Sequence, residues 1–254
     1  MRGVKRKSLL FAACLLAALG LSRSPQARLN YTISEMNSEA PDHPRATPTA
    51  FARHFTGQLD ADGFPPPSAW HNAPALQFER DWKGENPDSQ RATEVRLLWT
   101  SETLFVRFYC HFRSITVFPD AREDGWRDKL WDRDVAETFL QPDESDPRVY
   151  REFEVSPNGH WIDLAVAHGK IEELHSGLRR RVMLDEKSRV WIGELALPMK
   201  CLTPKFDPKH PWRANFFRVE GESEPRFYAA WSPTRTEKPN FHVPSAFGTL
   251  IFRE

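Results

Sequence analysis

The chain has 254 residues, with Lys plus Arg and Asp plus Glu balanced at 35 each, so no basic excess marks it for nucleic acid or an anionic membrane surface. Nine tryptophans and eighteen phenylalanines supply a large apolar core. Three cysteines are too few to frame a small disulfide scaffold.

The chain opens on Arg2, Lys5, Arg6 and Lys7, which run directly into an apolar stretch from Ser8 to Leu21. A charged head followed by an apolar run shorter than the roughly 20 residues that span a bilayer predicts a signal peptide over 1–27. Ser22 to Ala27 supplies the small and turn-forming residues of a cleavage region. The expectation is a secreted or periplasmic protein with no membrane span after cleavage. Removing the leader takes away Cys14 and leaves Cys110 and Cys201. The remaining stretch of about 220 residues suits one large β-sandwich or barrel held by packing.

Residues 28–54 are polar and proline-bearing, which predicts a linker or partly ordered arm, with the folded domain expected over 55–254. Within that domain short alternating segments recur between turn signals, the pattern of an all-β, antiparallel, jelly-roll-like sandwich. In the segment 104–113, Leu104, Val106, Phe108, Cys110 and Phe112 share one face while Arg107, Tyr109, His111 and Arg113 share the other. The segment 94–99 precedes it, and Thr100 to Thr103 predicts a hairpin between the two. Further strands are expected over 134–141, 150–156, 160–167, 177–184, 190–197, 213–219, 226–231 and 249–253. Pro157-Asn158-Gly159 reads as a tight turn, because Asn-Gly takes the positive φ of hairpins.

Three blocks carry candidate chemistry. In Leu130 to Pro142 a charged loop leads into a strand, with Trp131 at the mouth and Glu137 six residues later. A tryptophan there offers a flat apolar face, and the carboxylate accepts hydrogen bonds from hydroxyls. In Tyr150 to Leu164, the side chains Tyr150, Glu152 and Glu154 alternate with Phe153 and Val155. Trp161 and Asp163 are expected to meet them across a hairpin as one carboxylate-rich aromatic face. The third block runs from Arg213 through Trp231-Ser232-Pro233-Thr234 and Asn240-Phe241 to Phe247-Gly248-Thr249-Leu250, a proline-bounded loop set between strands.

At these blocks the chain resembles the family 9 carbohydrate-binding modules and their family 9-like relatives. The resemblance also takes in Asp60-Ala61-Asp62-Gly63 with Trp70, Leu97-Leu98-Trp99, Leu104-Phe105-Val106 and Trp191 to Pro198, so it spans essentially the whole domain. It implies a β-sandwich that clamps a sugar unit between two aromatic rings while polar side chains read its hydroxyls. On that pattern Trp131 matches the first ring and Glu137 a hydrogen-bonding carboxylate. Phe241 stands in place of the second ring, usually tryptophan. Glu152 stands where the family offers a basic residue, and Asn240 is a further hydrogen-bonding candidate. The resemblance also implies structural calcium, for which Asp60 and Asp62 are the candidate ligands, with Asp132 and Asp134 as further oxygen donors. The implied ligand is a saccharide, and glycoside hydrolases acting on the same polysaccharide are expected partners.

Other readings compete. A glycosidase could use two of Asp134, Glu137, Glu152, Glu154 and Asp163 as acid and base. The chain has no HExxH, no Gly-x-Ser-x-Gly elbow and no phosphate-binding glycine loop, and a non-enzymatic role is expected. A haem- or cofactor-binding sandwich of an exported electron-transfer system would draw axial ligands from Met183, Met199, His111, His160, His168, His175 or His242. A surface interaction domain with a degenerate sugar site is the third alternative.

Overall fold

The structure, a computed structural model, describes residues 31–32 and 47–254. The expected signal peptide over 1–27, Cys14 included, lies outside the described residues. Among the described residues fourteen strands run in chain order: β1 (Tyr31–Thr32), β2 (Thr49–His54), β3 (Ala75–Phe78), β4 (Thr93–Trp99), β5 (Thr103–His111), β6 (Val135–Gln141) and β7 (Val149–Val155), followed by β8 (Trp161–Ala167), β9 (Lys170–Glu173), β10 (Arg179–Asp185), β11 (Val190–Pro198), β12 (Trp212–Glu220), β13 (Phe227–Ala230) and β14 (Gly248–Arg253). Two one-turn helices, α1 (Pro67–Trp70) and α2 (Met199–Leu202), complete the regular structure with three 3₁₀ turns.

The strands form one continuous path, β1-β9-β8-β7-β6-β12-β14-β2-β4-β5-β11-β10, with β13 added to β12 and β3 to β4. This path folds back on itself, so the half around β7, β6 and β12 packs against the half around β5 and β11. Phe108 of β5 meets Phe216 of β12 at a centroid distance of 6.4 Å, and the Arg218 guanidinium lies 5.2 Å from the Trp191 ring. Gly193 of β11 leaves the space this approach needs, since a Cβ there would sit 3.0 Å from a Val155 methyl on β7. Leu104, Val106, Phe108 and Cys110 fill the interface as their alternation predicts. Phe105, on the other face of β5, is buried in a smaller cluster with Phe64, Trp70, Leu98 and Ala196. The loop through α1 therefore covers the outside of that half.

The expected hairpin of 94–99 with 104–113 is present as β4 and β5, in register from Thr93 opposite Cys110 to Trp99 opposite Leu104. Three expectations are corrected. The domain begins by Thr49 rather than near Phe55, because β2 is an interior strand paired in parallel with both β14 and β4. Its inward residues are Ala50 and Ala52, which give a weak apolar signal and have low strand propensity. The sandwich is accordingly not wholly antiparallel. Third, Trp161 and Asp163 do not join the face of Glu152 and Glu154. The connection from β7 to β8 has five residues, 156–160, and of these Gly159 takes positive φ. That odd loop places Ile162 opposite Glu154 and Leu164 opposite Glu152, while Asp163 pairs with Phe153 on the opposite face. Cys110 is buried and Cys201 half-buried, and both are free thiols.

Candidate functional site

The alternation of β6, β7 and β12 sends Glu137, Phe139, Glu152, Glu154, Phe217 and Val219 to one face, away from β5 and β11. Two loops roof this face. One carries the 3₁₀ turn Leu130–Asp132, and the other follows β13 through Pro239, Asn240, Phe241 and His242. Between them lies a pocket of about 350 Å³ lined by Trp131, Glu137, Glu152, Glu154, Arg226, Tyr228, Asn240, Phe241 and His242, among others. Trp131, Glu137, Glu152, Asn240 and Phe241, taken from three separate blocks of sequence, are thus brought to one place.

The ring of Phe241 stacks on Phe217 at 4.1 Å with planes 11° apart, and Tyr228 meets its edge at 6.2 Å. Asn240 accepts a hydrogen bond from the His242 amide at 3.0 Å, which shapes the loop tip. The His242 imidazole Nδ1 lies 2.8 Å from the Tyr150 hydroxyl, and the ring packs on Phe139 at 5.3 Å. These contacts fix the roof of the pocket on buried aromatic side chains of β6, β7 and β12.

The floor is acidic. Glu137 stands directly opposite Glu154 across β6 and β7, with Glu152 two residues along the same face. Glu137 and Glu152 are 2 % exposed and Glu154 is fully buried. Burial, and then the Glu152 carboxylate, push the Glu137 carboxyl well above the usual range, with Arg226 opposing them. Glu154 is likewise driven up by burial and by the charges of Glu137 and Glu152. One oxygen of Glu137, one of Glu152 and both of Glu154 receive no hydrogen bond from the chain.

Arg226 supplies the basic group at this pocket. The family pattern places such a group on the strand after Glu137, but Arg151 there sits opposite Ala165 on the other face of the sheet. The Arg226 guanidinium donates to the carbonyls of Trp131 at 2.5 Å and Gly221 at 3.0 Å and lies 5.1 Å from the Tyr228 ring. It therefore ties the Trp131 turn to the start of β13. Sequence reading missed Arg226 and Tyr228, but it placed Glu154 on the face of Glu152. The signal for Glu154 was its two-residue spacing from Glu152, whereas Arg226 adjoins the site through folding alone.

Asp60 and Asp62 lie elsewhere. One Asp60 oxygen accepts from the amides of Asp62 and Phe64, and the other accepts from Arg181 at 2.6 Å. A calcium ion there would have to displace a guanidinium, so this donor set does not fit the ion. Asp134 accepts from the amides of Gly221 and Thr116 and is occupied as a loop clamp. Of the haem-ligand candidates, Met183 is exposed on β10, Met199 is buried in α2 and His242 is bonded to Tyr150.

Residues 203–252, which include Asn240 and Phe241, match the family model described as carbohydrate-binding family 9. Over those residues the chain resembles the family 9 carbohydrate-binding modules. A family 9 module of Caldicellulosiruptor kristjanssonii in complex with cellotriose superposes with a TM-score of 0.56 at 14 % identity, covering 81 % of this chain and 94 % of that one. A Bacteroides uniformis protein proposed to bind carbohydrate superposes at 0.64 with 16 % identity, over 82 % of this chain and all of that one. An "Extracellular protein" of Arthroderma benhamiae is 25 % identical over 197 residues, which are 70 % of this chain and 85 % of the relative. No described helix is long and apolar enough to cross a membrane.

Proposed function

We propose that the protein is an exported saccharide-binding protein that holds a sugar unit in this pocket without cleaving it. The observation that carries the reading is the meeting of Trp131, Phe241 and Tyr228 with Glu137, Glu152 and Asn240 around one cavity. Aromatic rings there bury the apolar C–H faces of a pyranose, and the polar groups select among hydroxyl patterns, because an unmatched buried polar group is costly. The relation to modules that bind glucose and cellotriose favours a glucose-type unit as the first ligand to test.

The placement of the three glutamates supports binding without hydrolysis. A glycosidase needs an acid and a base or nucleophile flanking the scissile bond. Here Glu137, Glu152 and Glu154 lie side by side on two neighbouring strands, on one wall of the pocket. A leader of signal-peptide form and an extracellular relative support export.

Calorimetry with glucose, cello-oligosaccharides and a wider glycan set tests this reading. The wild type is expected to bind at least one saccharide and to release no reducing sugar. Trp131→Ala, checked for folding by circular dichroism, removes roughly 100 Å² of apolar contact at about 25 cal/mol per Å² and should weaken binding about 50-fold. A wild type that binds no glycan, or one that hydrolyses its ligand, would refute it.

A further inference from the structure

The acidic floor of the pocket holds more buried carboxylate than the fold requires. Like charges directly opposite on paired strands are destabilising, and Glu137 and Glu154 are such a pair. The residues are 98 % or more buried, yet four of their oxygens find no donor in the chain. Buried acceptors left unmatched cost free energy, so native proteins rarely keep several together without a partner. The adjacent cation cannot be that partner for all three, because the Arg226 guanidinium is already bonded to the carbonyls of Trp131, Arg133 and Gly221.

The oxygens are arranged for a small hard ion. One carboxylate oxygen from each of Glu137, Glu152 and Glu154 can be chosen so that all lie within 4.8 Å of one another. Oxygens that near to one another can share a single calcium ion at bonds of about 2.4 Å. We infer that Glu137, Glu152 and Glu154 bind a divalent cation of the calcium class at the floor of the pocket, with its open coordination positions turned toward the sugar. Three carboxylates leave a six- to eight-coordinate ion short of ligands, and the cavity they border is where further oxygens can enter. Vicinal hydroxyls of a saccharide have that chemistry. This coupling to sugar rests on the function proposed above, whereas the ion itself does not. The cation is thereby assigned to the pocket and not to the 60–62 turn, where both Asp60 oxygens already serve Arg181 and the backbone.

The test uses the full folded chain stripped with chelator, then titrated with calcium chloride by calorimetry and followed by thermal melting, without sugar. Calcium should bind and raise the melting temperature by several degrees, since a ligand held by the native state alone stabilises it. Glu154→Gln and, separately, Glu137→Gln should each abolish the shift, and Asp60→Asn should keep it. Saccharide affinity measured with and without chelator should then fall about tenfold or more when the ion is removed. No calcium binding by the wild type overturns the site. A shift that survives both glutamate variants but disappears in Asp60→Asn places the ion elsewhere and also overturns it. Calcium binding with an unchanged saccharide affinity overturns the coupling. A wild type that binds no calcium but prefers an amino sugar over glucose would show that the carboxylates take an ammonium group, which overturns the metal. Absence of all saccharide binding alongside intact calcium binding defeats the proposed function and leaves the ion standing.

Discussion

Two acidic clusters of this molecule differ in what balances them. On the outer face of the β5 and β11 half, Glu194 and Asp60 both bind Arg181, at 2.5 Å and 2.6 Å, with Arg107 3.5 Å from Glu194. Nearby, Glu94 pairs with Arg96 at 2.6 Å. In the pocket, Glu137, Glu152 and Glu154 face each other with four oxygens unmatched. The first cluster is complete within the chain and joins the 60–64 loop to β10 and β11. The second is incomplete without a visitor, and it stands where aromatic rings could hold one. Compensated charge marks scaffold here, and uncompensated buried charge marks the candidate site.

The largest effect should come from breaking the balanced cluster. Glu194→Ala leaves Arg181 and Arg107 short of their anion and should cost about 3 kcal/mol in denaturant unfolding, with pocket function retained by the folded fraction. A loss within experimental error would mean that the pairing is decorative.

The pocket should respond in the opposite direction. Glu154 binds its proton more tightly in the fold than in the unfolded chain, so its contribution to stability worsens as pH rises above 4.5 through the elevated folded value. Its neighbours in that setting are Glu137, Glu152, Asp132 and Arg226, with His242 4.0 Å from Glu152. Glu154→Gln should therefore raise the urea midpoint of metal-free protein at pH 7 and change it little near pH 4, where the carboxyl is neutral in both states. A destabilised variant at pH 7 would refute the view of this cluster as strained by repulsion.

The smallest effect should follow Asp60→Asn. Asp60 is held low by the Phe64 amide and Arg181, so its stabilisation is present above the ordinary carboxylate range and fades as pH falls through the depressed value. The variant should melt slightly lower than wild type at pH 7 and low salt, with the difference shrinking at high salt because the pair is partly exposed.

Alternation with period two made β5, β6, β7 and β8 legible from residue order, because each buries one row of side chains against the facing half. The same alternation put Glu152 and Glu154 on one face before any coordinates. The spacing of Trp131 to Glu137 and the Phe241 loop pointed to residues that do share a pocket. What residue order did not determine was register. The odd-numbered connection around Pro157-Asn158-Gly159 sets Asp163 opposite Phe153 and so turns it away from Glu154, a register that alternation within each strand does not fix. Strand β2 was hidden because its inward side chains are alanines, and its place between β14 and β4 is a long-range fact. Tertiary structure likewise decided that Arg226, 95 residues beyond Trp131, holds that turn, and that the Asp60 oxygens belong to Arg181. Sequence dictates which faces are apolar and which are charged. Folding alone decides which charges meet a partner, because the partners are brought close by register and closure and not by spacing along the chain.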